Sequence, residues 1–210
     1  MNPESEYEKL VDRLVSSGHI RSADIERAFR KYDRTEFLPE EHRMSSGEDR
    51  PLPIGSDQSG SQPFTVAFML DLLDPQKGDI VLDAGSGSGW QAALLADCVG
   101  PEGKVITVER VSDLAAKTKD NLEKFGLISS GAIMAVHGSA VVIDPEWPVF
   151  NKIISAAEGE EVPVSWKNSL AVGGRIVMPV KGRLIVADKT SVSEFDIKEY
   201  PGFSFNPLIV

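Results

Sequence analysis

Ile80-Val81-Leu82-Asp83-Ala84-Gly85-Ser86-Gly87-Ser88-Gly89-Trp90 is the stretch on which the fold turns. Three apolar residues and an acid lead into three glycines separated by serines, and Trp90 to Val99 then runs on in Ala and Leu with no helix breaker. A short apolar run bounded by glycine reads as a buried strand, and the run beyond it as a helix. Gly85, Gly87 and Gly89 therefore occupy a strand-to-helix turn, the place in an open α/β sheet where backbone can approach a ligand closely.

The alternation continues downstream. Val105 to Val108 is a second strand, and Ser112 to Phe125 presents Leu114, Ala115, Thr118, Leu122 and Phe125 at helical spacing, with Gly126 as its end. Ala132 to Val136, Lys152 to Ser155 and Arg175 to Met178 supply further strands, with a short helix around Trp166 to Leu170 before the last. Arg175 to Val180, Leu184 to Asp188, Glu194 to Glu199 and Phe203 to Leu208 then follow with short turns only, which predicts an antiparallel edge. The implied fold class is α/β: a doubly wound, Rossmann-like sheet, mostly parallel, with an antiparallel C-terminal edge and helices on both faces.

Upstream of the glycine turn the pattern is helical. Tyr7, Leu10, Val11, Leu14 and Val15 recur on one face with Gly18 as a stop, and Ser22 stands ready to cap a helix carrying Ile25, Ala28 and Phe29. Ser45 to Pro63 is rich in Ser, Gly, Pro and Asp and reads as one loop of 19 residues, long enough in a compact domain to suggest a function. Phe64 to Leu73 returns to helix and closes at Asp74-Pro75. The chain is thus expected to divide, within one compact unit, into an N-terminal helical appendage and loop over 1–75 and a ligand-binding core over 76–210.

Composition narrows the function. A hydrophobic fraction of 41% and a charged fraction of 26% suit a soluble globular chain, and no run of about 18 apolar residues offers a membrane span. The acidic start, Met1 to Lys9, lacks the apolar core of a signal peptide, so a cytoplasmic monomer is expected. The formal net charge of -10 argues against a nucleic-acid partner. His19, His42 and His137 lack metal-ligand spacing, and Cys98 stands alone on an apolar helix face, so no metal is expected and Cys98 reads as core. Trp90 reads as packing; His137, after a strand, is either structural or a contact for a bound base.

The turn also discriminates among cofactors. A dinucleotide fingerprint places its third glycine one position later, where Trp90 stands, so a nicotinamide or flavin dinucleotide is disfavoured. S-adenosyl-L-methionine, which has no pyrophosphate, fits better, with Asp83, Gly85, Ser86, Gly87, Ser88 and Gly89 around it and Asp83 taking the ammonium directly or through water. Glu109 follows the second strand 20 residues past Gly89, the offset of a ribose-binding acid, and can accept both hydroxyls.

Asp49-Arg50-Pro51-Leu52-Pro53-Ile54-Gly55, then Gln58 and Ser61-Gln62-Pro63, then Val81 to Ala93, resemble protein-L-isoaspartate O-methyltransferases. The similarity continues through Val105-Ile106-Thr107-Val108-Glu109-Arg110, Phe150 to Ile154 and Gly173 to Val180, and spans roughly residues 8 to 208. Many methyltransferases share the glycine turn; the Arg50 to Gly55 segment with Ser-Gln-Pro is specific to this family. The resemblance implies a methyltransferase sheet and methyl transfer from S-adenosyl-L-methionine to the α-carboxylate of L-isoaspartyl residues in damaged proteins or peptides, a repair activity. It places Ser61 beside the methyl group and the acceptor carboxylate, with Gln58, Ser59, Gln62 and Pro63 on the substrate side and Ser139 at adenine's edge. A carboxylate acceptor is already ionised at pH 7, so no histidine or cysteine nucleophile is called for.

Three positions depart from the family pattern. Family members usually carry Thr-Ile at Ser59-Gly60, Asp-Gly at Ser139-Ala140 and aspartate at Asn151. The implied consequences are a more flexible acceptor loop, a hydroxyl where an acid meets adenine, and one charge fewer close to the cofactor cleft. Esterification of another peptide carboxylate, or a non-catalytic module that keeps the fold, are the competing readings.

Overall fold

The computed structural model describes residues 5–208; the outermost residues of the two expected units, 1–4 and 209–210, lie outside the described residues, and with them Met1 to Glu4 of the acidic start. Helix α1 (Glu6–Ser16) begins at a capping box in which the Ser5 hydroxyl accepts from Glu8 N and Glu8 accepts from Ser5 N, an arrangement that contributes about 1 kcal/mol. Gly18, at φ +73°, ends it. Helix α2 (Ala23–Lys31) follows Ser22, which sits at the cap position without a side-chain capping bond, so the expected hydroxyl cap is not made.

The expected long loop holds structure of its own. Leu52–Gly55 (β1) and Gln58–Gly60 (β2) pair as a small antiparallel hairpin whose turn residues, Ser56 and Asp57, both have positive φ. Two prolines and strands this short hide it from a periodicity reading. Helix α3 (Pro63–Leu73) starts directly after it, with Pro63 in its first turn, where the missing N–H costs nothing.

A seven-stranded sheet organises the rest, in the order β10-β9-β8-β6-β3-β4-β5. Its parallel members are β3 (Ile80–Ala84), β4 (Lys104–Glu109), β5 (Ile133–His137), β6 (Phe150–Ser155) and β8 (Leu170–Val180). The remaining two, β9 (Arg183–Lys189) and β10 (Phe195–Pro201), run antiparallel as expected. The last expected segment does not join them: Asn206–Pro207 (β11) pairs in parallel with Ala157–Glu158 (β7), away from the main sheet.

Alternating strand residues feed two cores, the reason the strands read as continuous apolar runs. Val81, Val105, Ile133, Ile154 and Val177 face α1 to α3, α4 (Trp90–Val99) and Leu122 of α5 (Ser112–Glu123). Leu82, Ala84, Ile106, Val108 and Ile153 face Phe150 and Trp166 of α6 (Val164–Ser169). Trp90 joins appendage to core: its ring meets Phe29 at 5.3 Å and Tyr7 at 6.4 Å, and its Nε1 donates to Tyr32 O at 2.8 Å. Phe29 is fully buried, so Phe29→Ala should cost about 3–5 kcal/mol of stability, read as a lower midpoint in denaturant.

Candidate active site

The chain runs outward from β3 through β4 to β5, then returns to lay β6 on the other side of β3. The strand order reverses between β3 and β6, and a crevice opens at the carboxyl ends of the strands there, as such switch points do. The crevice encloses about 880 Å³ when the open solvent at its mouth is included.

Its floor is the glycine turn. Gly85 N and Ser86 N donate to Val108 O at 2.8 and 3.2 Å, and Gly89 N donates to Ser86 O at 2.8 Å. Gly85, Gly87 and Gly89 have φ of +85°, +56° and +87°, a region that costs L side chains about 1–2 kcal/mol each. A Cβ on Gly87 would stand 3.0 Å from Ile54 Cδ1, so the turn also lets the hairpin close in. Helix α5 holds the turn from behind: Thr118 Oγ1 donates to Gly87 O and Asn121 Nδ2 to Ser88 O, both at 3.0 Å.

Glu109 ends β4 at the rim and is 7% exposed. Its Oε2 accepts from Gly87 N at 2.8 Å and its Oε1 from Val111 N at 2.9 Å, so the carboxylate is oriented by backbone and keeps further lone pairs for a ligand. Asp83 stands behind the crevice lining, which leaves the indirect one of the two expected routes to an ammonium. It is fully buried and does not line the crevice; Gln91 Nε2 and Thr107 Oγ1 each donate to one of its oxygens at 2.7 Å. Thr107 is its register partner across β3 and β4, and Gln91 lies above on α4. Burial pushes the Asp83 carboxyl up to about 6, against the pull of Thr107 and Gln91. Any contact with an ammonium therefore runs through Gln91 or a solvent molecule.

The opposite wall comes from segments distant in sequence. Ile54, Gln58, Ser59, Gly60 and Ser61 bring the hairpin over the turn, and Asn206 to Leu208 close the side, with Asn206 Nδ2 donating to Gln58 Oε1 at 3.0 Å. Ser61 is half-buried, and among the described residues its hydroxyl has no hydrogen-bond partner. Ser59, Ser61, Ala156 and Asn206 are shared with an adjoining groove in which Gln62, Phe64, Phe203 and Phe205 stand.

Gln58, Ser59, Ser61, Gly85, Ser86, Gly87, Ser88 and Glu109 thus line one crevice. Gly89 lies just behind it, Gln62 belongs to the groove, and Pro63 to the start of α3. Ser139 is flanked by the lining residues Gly138 and Ala140. Asn151 is nowhere near: its Oδ1 accepts from Ile80 N at 2.8 Å, at the opposite end of the strands, so it removes no charge from the crevice. His137 is exposed and outside the lining, whereas Cys98 is core, its thiol pushed to about 12 by burial. Sequence reasoning missed Val111, Leu114, Gln91 and Asn206. The first two carry a signal, apolar positions just after the acid; Asn206 carries none.

The residues suit S-adenosyl-L-methionine. Two buried side-chain polar atoms lack a partner among the described residues, Gln91 Oε1 and Ser139 Oγ; Gln91 lines the crevice and Ser139 lies between two residues that do. Unpaired buried polar atoms are rare enough that such a pair at one crevice points to polar ligand groups there. Together with a side-chain-free turn and an oriented acid, they match a molecule carrying an ammonium, a ribose and an amino-substituted base. Among the described residues no group of His, Cys, Asp or Glu is placed to hold a metal ion, and no helix is long and apolar enough to cross a membrane.

A sequence model of the family described as Protein-L-isoaspartate(D-aspartate) O-methyltransferase matches residues 5–209. A relative named protein-L-isoaspartate O-methyltransferase in Methanopyrus kandleri is 41% identical over 206 residues, 96% of this chain and 90% of its own. One of the same name in Staphylothermus marinus is 40% identical over 215 residues, 98% and 95%. A solved structure of that name superposes with a TM-score of 0.85 at 27% identity, covering 96% of this chain and 65% of its own. A Plasmodium falciparum structure, described as a protein-L-isoaspartate O-methyltransferase in complex with S-adenosyl-L-homocysteine, superposes with 0.87 at 22% identity, covering 97% and 98%, a likeness of fold. With the family model matched over residues 5–209 and relatives about 40% identical along nearly the whole chain, the chain belongs to the protein-L-isoaspartate O-methyltransferase family.

Proposed function

We propose that this chain methylates the α-carboxylate of L-isoaspartyl residues in damaged proteins and peptides, with S-adenosyl-L-methionine as donor. The observation that carries the reading is the meeting of the glycine turn and Ser61 across a single crevice. S-adenosyl-L-methionine, when bound, supplies a methyl group on a positively charged sulfur, reactive enough to need no further activation.

The chain's own residues then have to bind, orient and exclude water. Glu109, fixed by Gly87 N and Val111 N, accepts the ribose hydroxyls. The turn would offer backbone around the amino-acid end, with Ser86 and Ser88 beside it, and Ser139 Oγ, buried without a partner, would be the group to meet the adenine edge. Asp83 sets the field there from behind Gln91. Ser61 donates its free hydroxyl to one carboxylate oxygen of the acceptor and leaves the other facing the methyl carbon, so the gain comes from alignment. Gln58, Ser59, Gln62 and Pro63 border the acceptor, and the groove beside Phe64 and Phe203 takes the flanking peptide. Val66, Leu114 and Ile54 line the crevice with apolar surface that displaces water. The acceptor is met by a single chain in the cytoplasm; the net charge of -10 disfavours nucleic acid as a partner.

The test is transfer of labelled methyl to an isoaspartyl peptide and to its aspartyl twin. Labelling of the first alone is expected. Equal labelling of both would replace the reading with a general carboxyl methyltransferase, and labelling of neither, with the cofactor still bound, with a non-catalytic module.

A further inference from the structure

Arg34 lies in a short 3-10 turn, Arg34–Phe37, and is 2% exposed. No carboxylate pairs with it among the described residues; instead its fork meets three backbone carbonyls. Nη1 donates to Glu48 O at 3.2 Å, and Nη2 to Arg50 O at 3.0 Å and to Ser61 O at 3.1 Å. Glu48 and Arg50 precede the hairpin and Ser61 follows it, so one guanidinium gathers both of its ends. The opposite face of the group lies over the Trp90 ring, 5.7 Å from its centroid, and Trp90 is the residue directly after the glycine turn.

Burying a guanidinium with no carboxylate bonded to it is costly, and here burial brings its pKa down to about 10 against the pull of Asp49 and Glu48. A side chain kept only for packing would be apolar. A planar guanidinium holds three carbonyls in one fixed arrangement; an ammonium has the charge and three donors, but as a point on a flexible stem without the fork's geometry.

We propose that Arg34 is a positioning residue for methyl transfer, holding the Ser61 segment at a fixed distance from the glycine turn by clamping the hairpin ends on one side and resting on Trp90 on the other. The inference rests on the reading of Ser61 as the acceptor-orienting group. Arg34 touches neither acceptor nor cofactor, so its loss should spare cofactor binding and slow the transfer step. Displacements of about 1 Å in such alignments cost up to about a hundredfold in rate.

The experiment compares wild type, Arg34→Lys and Arg34→Met, each also in a Ser61→Ala background. It reads kcat and KM on an isoaspartyl peptide and the dissociation constant and stoichiometry for S-adenosylhomocysteine. Arg34→Lys is expected to lower kcat by about tenfold and Arg34→Met by more, with one full cofactor site per chain and affinity within about twofold. In Ser61→Ala, Arg34→Lys should slow transfer by less than about twofold further, because the group it positions is gone. A wild-type rate in Arg34→Lys, or losses that multiply in the double variant, would overturn the positioning role. Arg34→Lys keeps the test sound should Arg34→Met not fold. A wild type that binds S-adenosylhomocysteine yet methylates no isoaspartyl peptide overturns the functional reading first, a result distinct from an active wild type with an equally active Arg34→Lys.

Discussion

Between Ala84 and Trp90 the backbone answers to the sheet at nearly every residue: Val108 O receives two amides, Glu109 a third, and α5 holds two carbonyls. Between Glu48 and Ser61, on the facing wall, the hairpin depends on the Arg34 fork, the Gln58 to Asn206 bond and packing of Leu52 and Ile54. Just beyond it, Phe64 N is capped by Asp49 Oδ1 at 2.9 Å. One wall is set by secondary structure, the other by a few long-range side chains. A donor of constant shape suits the first, and an acceptor presented by many different polypeptides suits the second.

If the walls differ in this way, damage to the cofactor wall should be the more severe. Gly87→Val forces a branched side chain to φ +56° against Ile54 and should raise the dissociation constant for S-adenosylhomocysteine by more than about a hundredfold. A fluorescence or calorimetric titration returning near wild-type affinity would mean that the turn is not the cofactor floor.

Asp83 is next in size. Its folded pKa of about 6 stands above the unfolded value of about 3.9, so the folded state holds the extra proton between them. The stability this group contributes is greatest below about pH 4 and is lost as pH rises through 6, by up to about 3 kcal/mol. Denaturant titrations of the apo chain from pH 4 to 7.5 should show that dependence in wild type relative to Asp83→Asn. A difference that stays flat with pH would mean that Asp83 ionises normally.

Glu109→Ala should weaken S-adenosylhomocysteine by about 1.5–3 kcal/mol, the range for bonds to a charged group, part of it through the freed Gly87 amide. An unchanged constant would remove Glu109 from the site. On the acceptor wall, Ser61→Ala should slow transfer several-fold to a hundredfold with cofactor affinity intact, and the residual rate should keep the wild-type pH dependence above about pH 6. Full activity would defeat the assignment. The smallest effect is expected for Asn206→Ala, which loses one neutral bond to Gln58 and should speed cofactor release by roughly threefold in stopped flow. A hundredfold acceleration would show that the C-terminal arm, rather than the turn, retains the cofactor.

What the sequence disclosed follows the same division. Helix α4 is legible to the residue because Gly89 and Gly100 bracket an unbroken helical run, and Glu109 because one helix, one short turn and one strand together set its distance from the glycines. The direct and the water-mediated role of Asp83 could not be told apart from spacing, which says nothing of Thr107 and Gln91 reaching it from a neighbouring strand and the covering helix. The pairing of β11 with β7 was illegible for a related reason: two residues pair with two others 49 positions earlier, without periodicity on either side. Arg34 stands in a charged stretch ahead of an unrecognised hairpin, where nothing in the spacing announces its three carbonyl partners.

Cys98 adds a practical consequence. The chain has one cysteine, 1% exposed on α4 in the core shared by the appendage and the sheet, with a thiol that burial keeps protonated at neutral pH. Alkylating reagents attack the thiolate, so they wait for α4 to come away from the sheet. The rate of modification therefore reports the openings that uncover the end of α4, with a single signal per molecule and no engineered label. Measured with increasing S-adenosylhomocysteine, the slowing of that rate gives the cofactor's stabilisation of the native state by mass action, independently of any turnover.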